Sequence, residues 1–366
     1  MKKIIFIIAA VALIASPAMA VDWNFYGSAR MATFYQSRDF GNGAFSDLDD
    51  GGLVNGKLDK DEDARVQWEL QSNSRLGATV KAENVGGRFE FGINESDVTS
   101  RRIYGTWDFG AATLKVGKDY TPIAQFTSGQ IFGGDAGLLG QGAAYGGRNG
   151  QISLSFGGFE IAAITNQGGA IANIATGNVD KYLPRLEAKF GMSFDTWSFG
   201  IVGGYQYYQI KDGGPLFKDI DVDSYILGGD LQFNFGPAYI KGAGSFGQNW
   251  VEGGWAAAGD PAASYKGTGS STDDVKVAQA LLVGGFKFTD QLTLEGGVGY
   301  LYTDPDANGQ DSSNGLEAYV QAVIGMAPGV WLVPEVGYKT YVADYNVTNL
   351  SQGSQWYLGG KWQIDF

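Results

Sequence analysis

The chain is 366 residues long and carries 57 Gly, no Cys, no His and a formal net charge of −13. The acidic balance argues against nucleic acid as a partner. The missing His removes the usual general base and zinc ligand, and the missing Cys removes any disulfide framework.

Residues 1–20 pair Lys2 and Lys3 with an apolar run from Ile4 to Ala15 and the small-residue stretch Ala18-Met19-Ala20. This is the three-part pattern of a secretory signal peptide, so the mature chain is expected to be one domain over 21–366. Without Lys2 and Lys3 the balance becomes 24 basic against 39 acidic residues, a charge of −15. No later segment offers the roughly 18 consecutive apolar residues of a membrane-spanning helix, so any spanning structure has to be a closed β-barrel.

Period-two alternation predicts strands near 23–36, 64–83, 87–95, 101–109, 112–118, 148–156, 158–166 and 183–194, then near 197–209, 222–235, 238–248, 274–288, 291–303, 314–326, 330–343 and 354–366. Sixteen strands satisfy the even number that single-chain bacterial barrels require. Their connections alternate in length: Asn84-Val85-Gly86, Gly110-Ala111, Gly157-Gly158, Asp195-Thr196, Gly236-Pro237, Thr289-Asp290 and Ala327-Pro328-Gly329 are short. The segments near 37–63, 119–147, 167–182, 210–221, 249–273, 304–313 and 344–353 are long, and 96–100 is a shorter member of that set. Tight turns on one rim and long loops on the other mark an all-β, sixteen-stranded antiparallel transmembrane barrel.

The faces agree with this reading. In the last strand Trp356, Leu358, Gly360, Trp362, Ile364 and Phe366 oppose Tyr357, Lys361, Gln363 and Asp365; in 185–194, Leu186, Ala188, Phe190, Met192 and Phe194 oppose Arg185, Glu187, Lys189 and Ser193. A soluble β-sandwich would show the same alternation with its faces reversed. Aromatic residues near strand ends favour the barrel, because they fit headgroup-level girdles: Trp23 and Phe25, Tyr205 with Tyr207 and Tyr208, Tyr300 with Tyr302, Tyr338 with Tyr341. Alternation also sets Arg30, Arg65, Arg75 and Arg102 on the polar face, with Arg65 near the outer rim. Each arginine could instead be a wall residue paired with a carboxylate such as Glu69 or Glu83.

Over essentially the whole mature chain the sequence resembles the trimeric general porins of Gram-negative outer membranes. Ser74-Arg75-Leu76-Gly77 is similar to a second-strand motif of that family. Thr99-Ser100-Arg101-Arg102, Phe109-Gly110 and the run Leu114 to Pro122 resemble the approach to its third loop, and Phe132-Gly133-Gly134-Asp135 resembles the core of that loop. Arg148-Asn149 ahead of Phe156-Gly157-Gly158-Phe159 looks like the return strand, and the terminal Phe366 like the family's assembly signal.

The resemblance implies a water-filled channel for passive diffusion of ions and small hydrophilic solutes, with no cofactor and no enzymatic activity. It implies a homotrimer in contact with outer-membrane lipid and lipopolysaccharide, and a constriction loop at about 119–147 folded into the lumen. Arg30, Arg75 and Arg102 from the polar face, joined by Arg148 on the resemblance, are expected to face Asp119 and Asp135 of the loop across the constriction, with Tyr120 and Ile131 also at the constriction. Ile131 stands where many members carry an acid, and Ser28 where the first strand usually bears a lysine, so the narrowing is expected to be less negative than usual, closer to neutral or anion-tolerant, while the overall charge of −15 still concentrates cations at the mouths. Small residues expected on the outer face, Gly27, Ala29, Gly92 and Gly105, suit close subunit packing.

Other readings stay open beside this one. Tyr26, Tyr120, Tyr319 and Tyr357 could line a track in a channel selective for a sugar, phosphate or small organic acid. Asp47, Asp49 and Asp50 in the first long loop could hold Ca²⁺ weakly, although the spacing is not that of an EF-hand. Asn346-Val347-Thr348 and Asn349-Leu350-Ser351 match glycosylation acceptors in form only. A barrel protease or phospholipase is disfavoured, since neither a Ser-His nor an Asp-His dyad can be built.

Overall fold

The computed structural model describes residues 21–39, 65–169, 178–211, 219–255, 264–265, 272–306, 312–340 and 354–366. The expected signal peptide, the Asp47, Asp49 and Asp50 cluster, Tyr341 and both glycosylation matches lie outside these residues.

Strand segments make up most of the described residues. They are β1 (Asp22–Asp39), β2 (Arg65–Leu70), β3 (Arg75–Ala82), β4 (Val85–Ile93), β5 (Val98–Asp108), β6 (Thr113–Tyr120), β7 (Arg148–Phe156), β8 (Phe159–Ile164), β9 (Asn178–Asp180), β10 (Arg185–Ser193) and β11 (Trp197–Lys211). They continue with β12 (Ile220–Phe235), β13 (Ala238–Gln248), a small loop hairpin of β14 (Ser264–Tyr265) and β15 (Thr272–Asp273), then β16 (Val275–Thr289), β17 (Leu292–Pro305), β18 (Ser313–Ala327), β19 (Val330–Thr340) and β20 (Ser354–Asp365). β2 and β3 both pair with β1 and form one interrupted stave, and β9 and β10 both pair with β11 and form another. Apart from the hairpin, the segments therefore make sixteen staves, each antiparallel to its neighbours, as the sequence predicts.

The sheet closes where β20 pairs with β1, from Ser28↔Asp365 to Asp39↔Ser354. Closure leaves no edge with unpaired backbone groups, the condition for strands to cross an apolar layer. The C-terminal residue completes the seam: the Phe366 N–H donates to the Gly27 carbonyl at 3.0 Å, and the Gly27 N–H donates back at 2.6 Å. Gly27 is needed there, because a Cβ would meet the Phe366 ring.

Alternation decides what each face carries. Leu358 is 61% exposed on the outer face of β20, while its neighbour Tyr357 is buried inside. The rim of short turns bears stacked aromatic pairs such as Trp23 with Phe25 and Phe194 with Trp197. The girdle reading needs one correction, and the reading of small outward residues another. Tyr208 points inward and is fully buried, as its odd spacing from Tyr205 and Tyr207 demands. Gly92 also faces inward, on the face of Arg88 and Glu90, where a Cβ would press on the Arg101 side chain.

Two segments fill part of the lumen. Residues 121–147, between β6 and β7, contain the kinked turn α1 (Phe132–Asp135), in which Gly133 and Gly134 take φ of 68° and 75°. Residues between β13 and β16 contain the turn α2 (Trp250–Gly253). Trp250 and Trp255 pack with Ile123, Ala144, Val202 and Ile226 into an apolar cluster that joins both insertions to the inner wall.

Candidate functional site: a loop-narrowed lumen with a basic wall

The inserted loop runs along the inside of the C-terminal half of the barrel, held by inward side chains from successive staves. Glu187 of β10 accepts the Ile123 N–H at 2.9 Å, and Glu295 of β17 accepts the Gly129 N–H at 2.8 Å. Gln130 Nε2 donates to Glu317 at 2.6 Å and to the Tyr357 hydroxyl at 3.0 Å. Glu335 of β19 takes two amides, Ile131 N–H at 2.8 Å and Phe132 N–H at 3.0 Å. Buried carboxylates thus act as acceptors for loop backbone that strands cannot reach, which answers the hydrogen-bonding demand of a loop packed inside a barrel. On the return, Gly142 N–H donates to Gln279 at 3.1 Å, and Gly299 lets the loop lie flat, since a Cβ there would collide with the Gln141 carbonyl.

At its tip the loop docks on the seam. Asp135 receives Arg30 at 2.5 Å, Lys361 at 2.8 Å and Asn73 Nδ2 at 2.7 Å. Arg30 is oriented by its Nε donating to Ser28 at 2.9 Å. Lys361 and Asn73 complete a clamp that the sequence reading did not single out, although Lys361 was placed on the polar face.

The wall from β3 to β10 carries the remaining site residues. Glu90 collects Arg88 and Arg101 at 2.8 Å each, the Tyr26 hydroxyl at 2.8 Å and Arg75 at 3.8 Å. Arg102 pairs with Asp119 at 2.6 Å, and Lys115 bridges Asp119 at 3.1 Å and Glu160 at 3.0 Å. Lys189 reaches Glu160 from β10 at 2.8 Å. Arg148 Nη1 donates to the Tyr120 hydroxyl at 3.1 Å, and the guanidinium carbons of Arg102 and Arg148 each lie 5.2 Å from the Tyr120 ring centroid. Burial raises the pKa of the loop residue Tyr145 above its ordinary value, against the opposing pull of Arg148.

Arg75, Arg102, Arg148, Asp119 and Tyr120 therefore gather on one wall, and Arg30 and Asp135 meet at the seam. Three expectations change. Asp119 is not on the loop facing the arginines but ends β6 beside Arg102, so neither it nor Asp135 stands across open lumen from them. Ile131 does not line the constriction; its side chain is buried with Phe34, Phe132, Val333 and Tyr357 beneath the loop. Tyr319 and Tyr357 are buried under the loop as well, which removes them from a solute track, and Tyr26 is taken up by Glu90. The carboxylate that engages the arginines is Glu90, in place of Glu69 or Glu83; Arg65 stands opposite Gln36 at the outer end of its stave.

Arg101 escaped strict alternation for a physical reason. The register between β4 and β5 shifts at Glu90/Phe91, and the extra residue turns Arg101 inward beside Arg102. Arg185 has a different unforeseen role: fully buried, it donates to the Gly253 carbonyl at 2.9 Å and to the Gly146 carbonyl at 2.9 Å, tying both insertions together. Two tryptophans in one long loop were the available signal for a second packed insertion.

A closed barrel of sixteen staves, narrowed by a loop between its fifth and sixth, is the architecture of outer-membrane porins. Solved structures of that kind match it over nearly their full length: the outer membrane channel DcaP of Acinetobacter baumannii has a TM-score of 0.70 at 16% identity, covering 95% of this chain and 99% of that one. The anion-selective porin from Comamonas acidovorans has a TM-score of 0.61 at 14% identity, covering 94% and 100%. Salmonella typhi OmpF has a TM-score of 0.53 at 11% identity, covering 93% and 97%. These likenesses establish the fold. No protein-family model matches the chain, and no curated protein matches it in sequence.

Proposed function

We propose that the chain forms an outer-membrane pore for passive diffusion of small hydrophilic solutes and ions, with a preference for anions. The observation that carries this reading is the charge of the open lumen. Nine basic side chains, Arg30, Arg75, Arg88, Arg101, Arg102, Lys115, Arg148, Lys189 and Lys361, stand against five carboxylates, Glu90, Asp119, Asp135, Glu160 and Asp230, and Arg148 is paired with none of them. The carboxylates of the opposite wall, Glu187, Glu295, Glu317 and Glu335, are buried beneath the loop. A surplus of fixed positive charge at the narrowest section raises the local concentration of anions.

The greasy outer face belongs in lipid, and in the outer membrane it would meet lipopolysaccharide at the long-loop rim. Self-association as a trimer fits the small exposed residues Ala29 on β1 and Gly105 on β5. A chain without His cannot build a Ser-His or Asp-His dyad, and this reading assigns it no catalysis. Swelling of liposomes loaded with sugars of graded size tests the pore: rapid swelling with a pentose and none with a tetrasaccharide supports it, and no swelling with any sugar rejects it.

A further inference from the structure

The inserted loop hides its apolar side chains with one exception. Ile123, Ile131, Phe132 and Leu138 are buried, yet Phe126 is 57% exposed. Its ring does not touch lipid, because it lies 5.0 Å from the Tyr120 ring in a T-shaped contact and 6.0 Å from Tyr145, inside the barrel. An aromatic ring left wet in a polar channel costs hydrophobic free energy that burial elsewhere in the loop would have recovered. Phe126 and Tyr120 line a cavity of about 470 Å³ with the cations Arg102, Lys115 and Lys189 and the carboxylates Asp119, Glu160 and Asp230, and Arg148 and Tyr145 join it through their contacts with Tyr120 and Phe126. That volume falls within the range of small-molecule sites.

The charges beside the ring are arranged for a ligand. Arg148 donates to Tyr120 and has no carboxylate partner among the described residues, so part of its guanidinium fork is free for an oxyanion. Arg102 spends one N–H on Asp119 and keeps the rest of its fork beside the same ring. Of the cavity's acids, Asp119 and Glu160 are already paired with Arg102, Lys115 and Lys189, whereas the Tyr120 ring has two guanidinium groups 5.2 Å from its centroid. Aromatic rings prefer offset or edge-to-face partners, and the exposed flank of Phe126 offers one.

We propose that Phe126, Tyr120 and Tyr145, with Arg102 and Arg148, form a lumenal binding site for an anion with a flat aromatic body, an aromatic carboxylate. This assignment rests on the channel reading and sharpens it to a class of permeant. The ring stacks on Phe126 while the carboxylate takes the free guanidinium donors, and the solute leaves by exchange with bulk anions.

Benzoate is the probe, compared with acetate, which lacks the ring, and benzamide, which lacks the charge. Purified full-length protein in a planar bilayer should show a saturable fall in chloride current with benzoate, and none with the other two at equal concentration. In Phe126→Ala, normalised to its own chloride current, the half-blocking concentration should rise about five- to tenfold, the worth of one aromatic contact. Phe126→Tyr should restore the block. Equal effects of benzoate and acetate, or a Phe126→Ala channel blocked at the original concentration, would overturn the site while leaving the pore standing. Absence of any chloride current would overturn both.

Discussion

Replacing Glu335 by Ala removes the acceptor of two loop amides, Ile131 N–H at 2.8 Å and Phe132 N–H at 3.0 Å, at a position that is 2% exposed. A buried donor left without a partner costs about 1–3 kcal/mol, so two of them set a range of about 2–6 kcal/mol. Water entering the vacated space recovers part of this, which leaves about 2–3 kcal/mol of lost local stability. The barrel itself survives, since the loop keeps its contacts to Glu295, Glu317 and, through Asp135, Lys361, and the strands keep their ladder. Hydrogen exchange read by mass spectrometry on peptides spanning residues 128–136 should then accelerate about 30- to 150-fold, because each 1.4 kcal/mol is a factor of ten. Peptides from β12 and β13 should be unchanged. Wild-type protection across the loop in Glu335→Ala would show that the carboxylate does not hold the loop to the wall.

Other substitutions probe the wall and the seam. Arg102→Ala removes a cation and leaves Asp119 with Lys115 alone, whereas Arg75→Ala leaves Glu90 with Arg88 and Arg101; both should shift selectivity toward cations in a salt gradient, Arg102→Ala more. One unit charge about 7 Å from the ion path in water is worth about 0.6 kcal/mol, so the Arg102→Ala permeability ratio should change two- to threefold, and a larger effect at Arg75 would contradict the pairing. Gly299→Val drives a side chain into the Gln141 carbonyl and should displace the loop, seen as altered single-channel conductance with a normal barrel signature in circular dichroism. Phe366→Ala leaves the backbone pair with Gly27 but empties the ring site at the seam; slower barrel closure, followed by heat-modifiable gel mobility, is expected.

Much of the barrel was readable because side-chain period and turn chemistry are local properties. Every one of the sixteen staves falls where alternation puts it, and Gly157-Gly158 and Gly236-Pro237 turn where they were expected to. The site was legible only in part, because its geometry depends on register and on contacts distant in sequence. Arg75, Arg102 and Arg148 follow from alternation and resemblance, but one bulge moves Arg101 beside them. Nothing local in Ile131-Phe132-Gly133-Gly134-Asp135 says that Glu335, 204 residues away, will hold the first residue by its amide and turn its side chain under the loop. Likewise Asp135 carries no mark of the clamp formed by Arg30, Asn73 and Lys361. Long-range pairing across a closed sheet has no short-range signature.

The reversal potential of purified protein in a planar bilayer, with a potassium chloride gradient across it, reaches the heart of the matter. A wet lumen walled by unbalanced arginines and lysines should give steady currents that reverse at a voltage of chloride sign, and the potential should shrink as total salt rises and screens the wall. A bilayer that stays silent, or a reversal of potassium sign at low salt, would contradict a basic, water-filled pore.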